Sequence, residues 1–231
     1  LERLSCSKVD RPIGRVTYSL LLDPHGGIES DVTIARLADD RFMIMSGSSS
    51  GPRDLGWIEN HLRDMPEVSV RDVTPAWAAL GLFGPNALDI LAAIADRSLS
   101  LADHPRYSAR WISVGSIPVL AVRMSYVGEE GFELHTSTEY GSALWDVVWE
   151  AGRPHELVAA GDAVFEEVRD PPLLTWGGVG YLHGCQCFGR QLQERRAASR
   201  RLHRFRQSDE AVPQEAGVLT INRHHSFAAL V

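Results

Sequence analysis

The sequence predicts an α+β fold built on antiparallel sheets with flanking helices. Two observations carry this. Short β-branched, apolar runs follow one another through tight turns in the first fifty residues, as in a β-meander. Later strands and helices come in mixed runs, without the strict strand–helix alternation of a parallel sheet. A chain of 231 residues with 44% hydrophobic content has enough apolar surface for one large or two small cores.

"GRVTYSLLLD" (Gly14–Asp23) reads as the first strand. "PHGGIES" is a turn, with Gly26 and Gly27 free to adopt φ > 0. "DVTIARL" (Asp31–Leu37) is the return strand and "RFMIMSG" the third. "GPRDLGWIENHLRD" (Gly51–Asp64) puts Leu55, Ile58 and Leu62 at helical spacing. Strands are expected around Val68–Val73 and over Trp77–Phe83. "GPNALDILAAIAD" is a helix with Pro85 in its first turn and Leu88, Leu91 and Ile94 on one face. "RWISV", "IPVLAVRM" and "GFELHT" read as three further strands. "STEYGSALWDVVWEAG" reads as a helix opened by Ser137 or Thr138, with Trp145 and Trp149 packing at i and i+4. From about residue 162 no clear periodicity remains.

Composition narrows the function classes. A net charge of -7 and a pI near 5.7 argue against nucleic acid as the main partner. No apolar run reaches membrane-spanning length. Three cysteines make no disulfide framework, so a reducing compartment is expected. His183, Cys185 and Cys187 cluster in "YLHGCQCFGRQL", but they fall short of a four-ligand metal site, and no metal is expected. Seven arginines against Glu194 crowd residues 182–206.

Three ordered segments carry chemistry. In "RVTYSLLLDPHGGIESDVTIARLADDRF" the Gly-Gly turn delivers Asp31 to a strand, opposite Tyr18. "GLFGPNALDIL" joins a strand to a helix through Gly-Pro-Asn. "VRMSYVGEEGFELH" sets Tyr126, Glu129, Glu130 and Glu133 around Gly128 and Gly131, with Glu129 and Glu130 read as a turn face. Each alone fits an ordinary hairpin or turn. In this order they resemble the aminomethyltransferase (glycine cleavage T-protein) family over about residues 5–160. The wording is nearest the folate-binding C-terminal portion of dimethylglycine and sarcosine dehydrogenases.

The resemblance implies a T-protein-like folate-binding fold. Residues 1–90 would belong to a central domain with the meander, and 91–161 to part of a ferredoxin-like domain. The chain is then expected to be a fragment without the N-terminal part and the C-terminal barrel. It implies tetrahydrofolate as cofactor, with Asp31 as the catalytic carboxylate beside its reactive nitrogens. Tyr18, Tyr126 and Glu133 would bind folate, Glu133 at the amino edge of the pterin, where two donors lie in one plane. The implied reaction is transfer of an aminomethyl or methylene unit giving 5,10-methylenetetrahydrofolate, in an enzyme of the aminomethyltransferase type. The donor would be a lipoyl carrier protein or a fused or associated flavin domain, with FAD only where an upstream flavin domain exists. The location would be the bacterial cytoplasm or the mitochondrial matrix. A non-catalytic folate-binding module, of the iron–sulfur maturation type, and an inactive truncated fragment are the alternatives.

Two departures from the family pattern stand out. Ser46 occupies a position where the family often has asparagine, and "DAVFEEVRDP" (162–171) offers only Arg169 for an expected folate-tail arginine. One base out of step, the codons for Gly184–Phe188 can encode the family's "D-V-N-A", and those for Arg200–Arg204 its "D-F-I-G", in the same phase. A reading-frame shift between about residues 162 and 181 is therefore expected, with an aberrant, disordered or poorly packed tail over 162–231.

Overall fold

The computed structural model describes residues 1–47, 50–125 and 129–160, together with the strands 218–222 and 227–230. In it, the first three strands form the expected meander: β1 (Val16–Leu22), β2 (Ile28–Arg36) and β3 (Phe42–Ser46), each antiparallel to the next. Helix α1 (Gly51–Asn60) follows, and β4 shrinks to Arg71–Asp72. Strand β5 (Trp77–Phe83) and helix α2 (Ala87–Ile94) come next. They precede β6 (Ser108–Val114), β7 (Ile117–Arg123), β8 (Gly131–Ser137), helix α3 (Gly141–Gly152) and β9 (Val158–Ala160).

Two sheets result. The first has the order β1-β2-β3-β11-β4, and the second β6-β7-β8-β5-β10-β9. Strands β10 (Val218–Asn222) and β11 (Phe227–Leu230) come from the region expected to be an aberrant tail. They pair with β5 and β3, whose backbone N–H and C=O groups would otherwise lie along an open edge. The other features expected in 162–231, including Arg169 and the His183, Cys185 and Cys187 cluster, lie outside the described residues.

Alternation along each strand sorts the buried side chains into three layers between four layers of secondary structure. Leu21, Val32, Ile34 and Ile44 of the first sheet pack with Ile58 of α1 and with Leu4 and Val9. Leu80, Leu82, Phe132 and Leu134 of the second sheet pack with Ile90 and Leu91 of α2 and Leu144 and Val148 of α3. Between the sheets, Val16, Ala35, Met43 and Met45 face Ala109, Leu120, Val122 and Met124. The order is thus helix, sheet, sheet, helices. Each fully buried aliphatic side chain contributes about 1.5–3 kcal/mol through removal from water.

The expected division at residue 90 passes through α2. The sheets instead divide between Asp72 and Trp77, because Leu80, Leu82, Ala87 and Ile90 belong to the same core as β8 and α3. Two helix details also differ. The most buried face of α2 is Ala87, Ile90 and Leu91, with Leu88 and Ile94 half-buried beside it. Helix α3 starts at Gly141, after a 3₁₀ turn over Thr138–Tyr140, and the Ser137 hydroxyl donates to the Glu139 carboxylate in place of a helix cap. Trp145 and Trp149 stack with centroids 5.8 Å apart against the second core, as expected.

Among the described residues, the largest fully buried side chain is charged. Arg123, at the end of β7, donates to the backbone carbonyls of Leu99 and His104, both at 2.8 Å, and to Oε2 of Glu130 at 2.8 and 3.1 Å. Its guanidinium lies 5.4 Å from the Phe132 ring centroid. Arg106 holds the other oxygen of Glu130. Burial works to raise the Glu130 carboxyl, but hydrogen bonds from Arg123 and Arg106 outweigh it and hold the group below the usual carboxylate range. Glu130, read as part of a turn face, does lie in the β7–β8 connection, and there it closes that connection over a buried arginine.

Two outcomes follow from this core. Arg123→Leu strands two buried carbonyls and removes one of the two arginine partners of Glu130, so urea unfolding should show a loss of roughly 3 kcal/mol. His104, beside the same arginine, is fully buried, with Nε2 at 3.3 Å from the Ser108 carbonyl. Desolvation first, and the charges of Arg123 and Arg110 after it, push its imidazole below the ordinary value; the Ser108 carbonyl pulls the other way. The unfolded chain then takes up a proton that the folded one refuses. Stability should fall as pH drops below about 6.5, and His104→Leu should flatten that slope in unfolding curves at pH 7, 6 and 5.

Candidate functional site

The β1–β2 hairpin sets where Asp31 points. Asp23 shapes the turn: its Oδ1 accepts from the N–H groups of Gly27 and His25, both at 2.7 Å, and these bonds hold its carboxyl below the usual range. Gly26 adopts φ +83°, and a Cβ on Gly27 would lie 2.6 Å from Asp23 Oδ2. Both glycines are thus required by the turn, one for conformation and one for space.

A β-bulge follows. Leu21 pairs with Ser30 but Leu22 pairs with Ile28, so Glu29 is the extra residue. Beyond it the register runs Leu20 to Asp31 and Tyr18 to Thr33. Asp31 therefore stands opposite Leu20 and diagonal to Tyr18, a correction to the expected pairing. The diagonal is still within reach of a phenol: Tyr18 Oη donates to Asp31 Oδ2 at 3.3 Å. Alternation with Val16 and Ala35 places Tyr18 and Asp31 on the face turned toward the second sheet. Asp31 is exposed and Tyr18 half-buried.

Glu133 stands on β8, between Val122 on β7 and Gly81 on β5. Phe132 and Leu134 point to the helices, so Glu133 and His135 point toward the first sheet. Glu133 is 18% exposed, and its Oε2 is 3.3 Å from Nε2 of the buried His135. Two carboxylates thus belong to the inter-sheet faces, one on each sheet. Tyr126 lies outside the described residues. Ser46 has a buried hydroxyl with no hydrogen-bond partner among the described residues.

Sequence reasoning missed the support behind Asp31. Ser30 Oγ donates to Asp54 Oδ2 at 2.7 Å, and Asp54 Oδ1 receives Arg53 Nη2 at 3.2 Å. Arg53 also donates to the backbone carbonyl of Glu29. Asp54 shares a helical face with Ile58, four residues on, which was a legible sign that the carboxylate would be buried. His135 was missed too. Among the described residues, no group of three or more His, Cys, Asp and Glu side chains could hold a metal ion, and no helix is long and apolar enough to cross a membrane.

The chain is similar to dimethylglycine dehydrogenase of Rattus norvegicus mitochondria, 29% identical over 74% of this chain and 20% of that one. It is similar to an aminomethyltransferase of Halalkalibacterium halodurans, 30% identical over 73% of this chain and 46% of that one. It is also similar to the mitochondrial pyruvate dehydrogenase phosphatase regulatory subunit of Mus musculus, 28% identical over 77% of this chain and 20% of that one. It spans less than half the length of each of these relatives. The family model described as the GCVT N-terminal domain matches residues 1–170, most of the chain. With the ordered motifs and the paired antiparallel sheets, that match makes the chain a member of the GCVT N-terminal domain family.

Proposed function

We propose that this chain binds tetrahydrofolate at the exposed rim of its inter-sheet face, beside Asp31, and serves transfer of a one-carbon unit, giving 5,10-methylenetetrahydrofolate. The observation that carries the reading is the exposed Asp31 carboxylate, held against the Tyr18 phenol on the inter-sheet face, with Glu133 on the sheet opposite. The residues suit such a ligand. Glu133 offers a half-buried carboxylate oxygen to the planar amino edge of a pterin. Asp31, an exposed carboxylate, accepts hydrogen bonds and favours positive charge developing at a nearby nitrogen. Tyr18 restricts the rotamers of that carboxylate. Tetrahydrofolate supplies a nucleophilic nitrogen; Asp31 orients it and, as a base, accepts its proton.

The one-carbon donor in this reading is a lipoyl carrier protein or a flavin domain, and the likeness to dimethylglycine dehydrogenase supports the second. A binding module without turnover is the second reading, favoured by the likeness to a relative named as a regulatory subunit. Titration with tetrahydrofolate separates them. The wild type should bind and transfer. Asp31→Asn should still bind, within about threefold, while transfer falls at least about a hundredfold. Full transfer by Asp31→Asn overturns the role of Asp31, binding without any transfer supports the module, and no binding supports an inactive fragment.

We also propose the frame shift in the gene. The family match stops at residue 170, inside the interval 162–181 where it is placed. Sequencing the locus should find that one base restores "D-V-N-A" and "D-F-I-G" downstream. A frame that reads as given, with no such restoration, contradicts it.

A further inference from the structure

Directly before Asp31, helix α1 takes hold of β2 at two consecutive residues. The carbonyl of Glu29, the bulged residue, accepts from Arg53 Nη2. The hydroxyl of Ser30 donates to Asp54 Oδ2 at 2.7 Å. Arg53 closes the loop by donating Nε and Nη2 to Asp54 Oδ1 at 3.3 and 3.2 Å. Ser30 is 6% exposed and the Asp54 side chain 3%, whereas Arg53 is 61% exposed. A carboxylate this deeply buried costs desolvation. Here it is offset by one hydroxyl, one guanidinium and its place in the first turn of α1, where N–H dipoles favour negative charge.

A bulge is the point at which strand register is weakest, because its extra residue has no ladder partner. Slipping by one residue would turn Asp31 from the inter-sheet face to the α1 face. The Ser30 proton has a second acceptor, the carbonyl of Asp31 itself at 3.4 Å, and the shorter bond to Asp54 holds it away. We infer that Ser30, Asp54 and Arg53 form a positioning clamp for Asp31: they fix the bulge and so the direction in which its carboxylate is presented. None of the three touches the ligand face. The effect on transfer rests on the functional reading above; the effect on the geometry of Asp31 does not.

The test therefore reads both. The carboxyl ¹³C resonance of Asp31, assigned by its loss in Asp31→Asn, is followed without ligand in wild type, Ser30→Ala, Ser30→Thr and Arg53→Met. Arg53→Met alters an exposed residue, so it keeps the measurement possible should Ser30→Ala fail to fold. The resonance should move in Ser30→Ala and Arg53→Met and return toward the wild-type position in Ser30→Thr, which keeps the hydroxyl. Transfer kcat should fall about tenfold in the first two, with KM for tetrahydrofolate within about twofold. A resonance that stays in place in folded Ser30→Ala or Arg53→Met overturns the clamp, whatever the rate does. A resonance that moves while no protein, wild type included, transfers a one-carbon unit upholds the clamp and removes the functional reading.

Discussion

The register of the β1–β2 hairpin is the constraint on which the candidate site depends. A strand offers alternate side chains to opposite faces, so a single residue of slip would exchange the two sets completely. Here Val32 and Ile34 must enter the core under α1, while Asp31, Thr33 and Ala35 must face the second sheet. The Asp23 turn fixes one end of the hairpin, and the bulge at Glu29 corrects the phase so that Asp31 lands on the inner face. Apolar burial on both faces then resists any other pairing. Asp31 is displayed near the turn end of that hairpin, just past the bulge, while its inward apolar positions are locked by packing.

The second sheet is held by a different device. Its helix-facing side is closed by aliphatic packing, but the β7–β8 connection is closed by charge, through Arg123 and Glu130. A buried arginine is expensive to desolvate, and it persists here because two carbonyls, one carboxylate and one aromatic face all receive it. That arrangement fixes the start of β8, and so the position of Glu133 two residues beyond Gly131. Gly131 itself permits the approach: a Cβ there would lie 2.3 Å from Phe83 Cδ1. The two carboxylates of the inter-sheet face are thus placed by independent means, one by turn and bulge, the other by a buried ion pair.

Much of this was legible in the chain. The meander, β5 and β6–β8 follow from periodicity and turn residues, because each strand has one or both faces buried and its pattern records that. Asp31, Tyr18 and Glu133 were legible only through ordered motifs, since an aspartate after a Gly-Gly turn is common on its own. What stayed hidden was contact between elements distant in sequence. The Ser30–Asp54 bond joins residues 24 apart, and nothing local to either announces it, although the helical face shared by Asp54 and Ile58 hinted at burial. Arg123 was visible as a lone charge in an apolar strand, but its partner Glu130 was hidden by the turn residues around it. The division at residue 90, taken from the family resemblance, falls inside α2. Only packing shows that Leu80, Leu82 and Ile90 belong with α3.

The proposed function places the ligand at the rim of the inter-sheet face with its reactive end at Asp31. A structure of this chain with tetrahydrofolate bound tests it most directly. The expected result is the pterin at the rim of the inter-sheet face, with its amino edge within hydrogen-bond distance of Glu133 and its reactive nitrogens beside Asp31. A ligand seated elsewhere, against the helices or clear of both carboxylates, would contradict it.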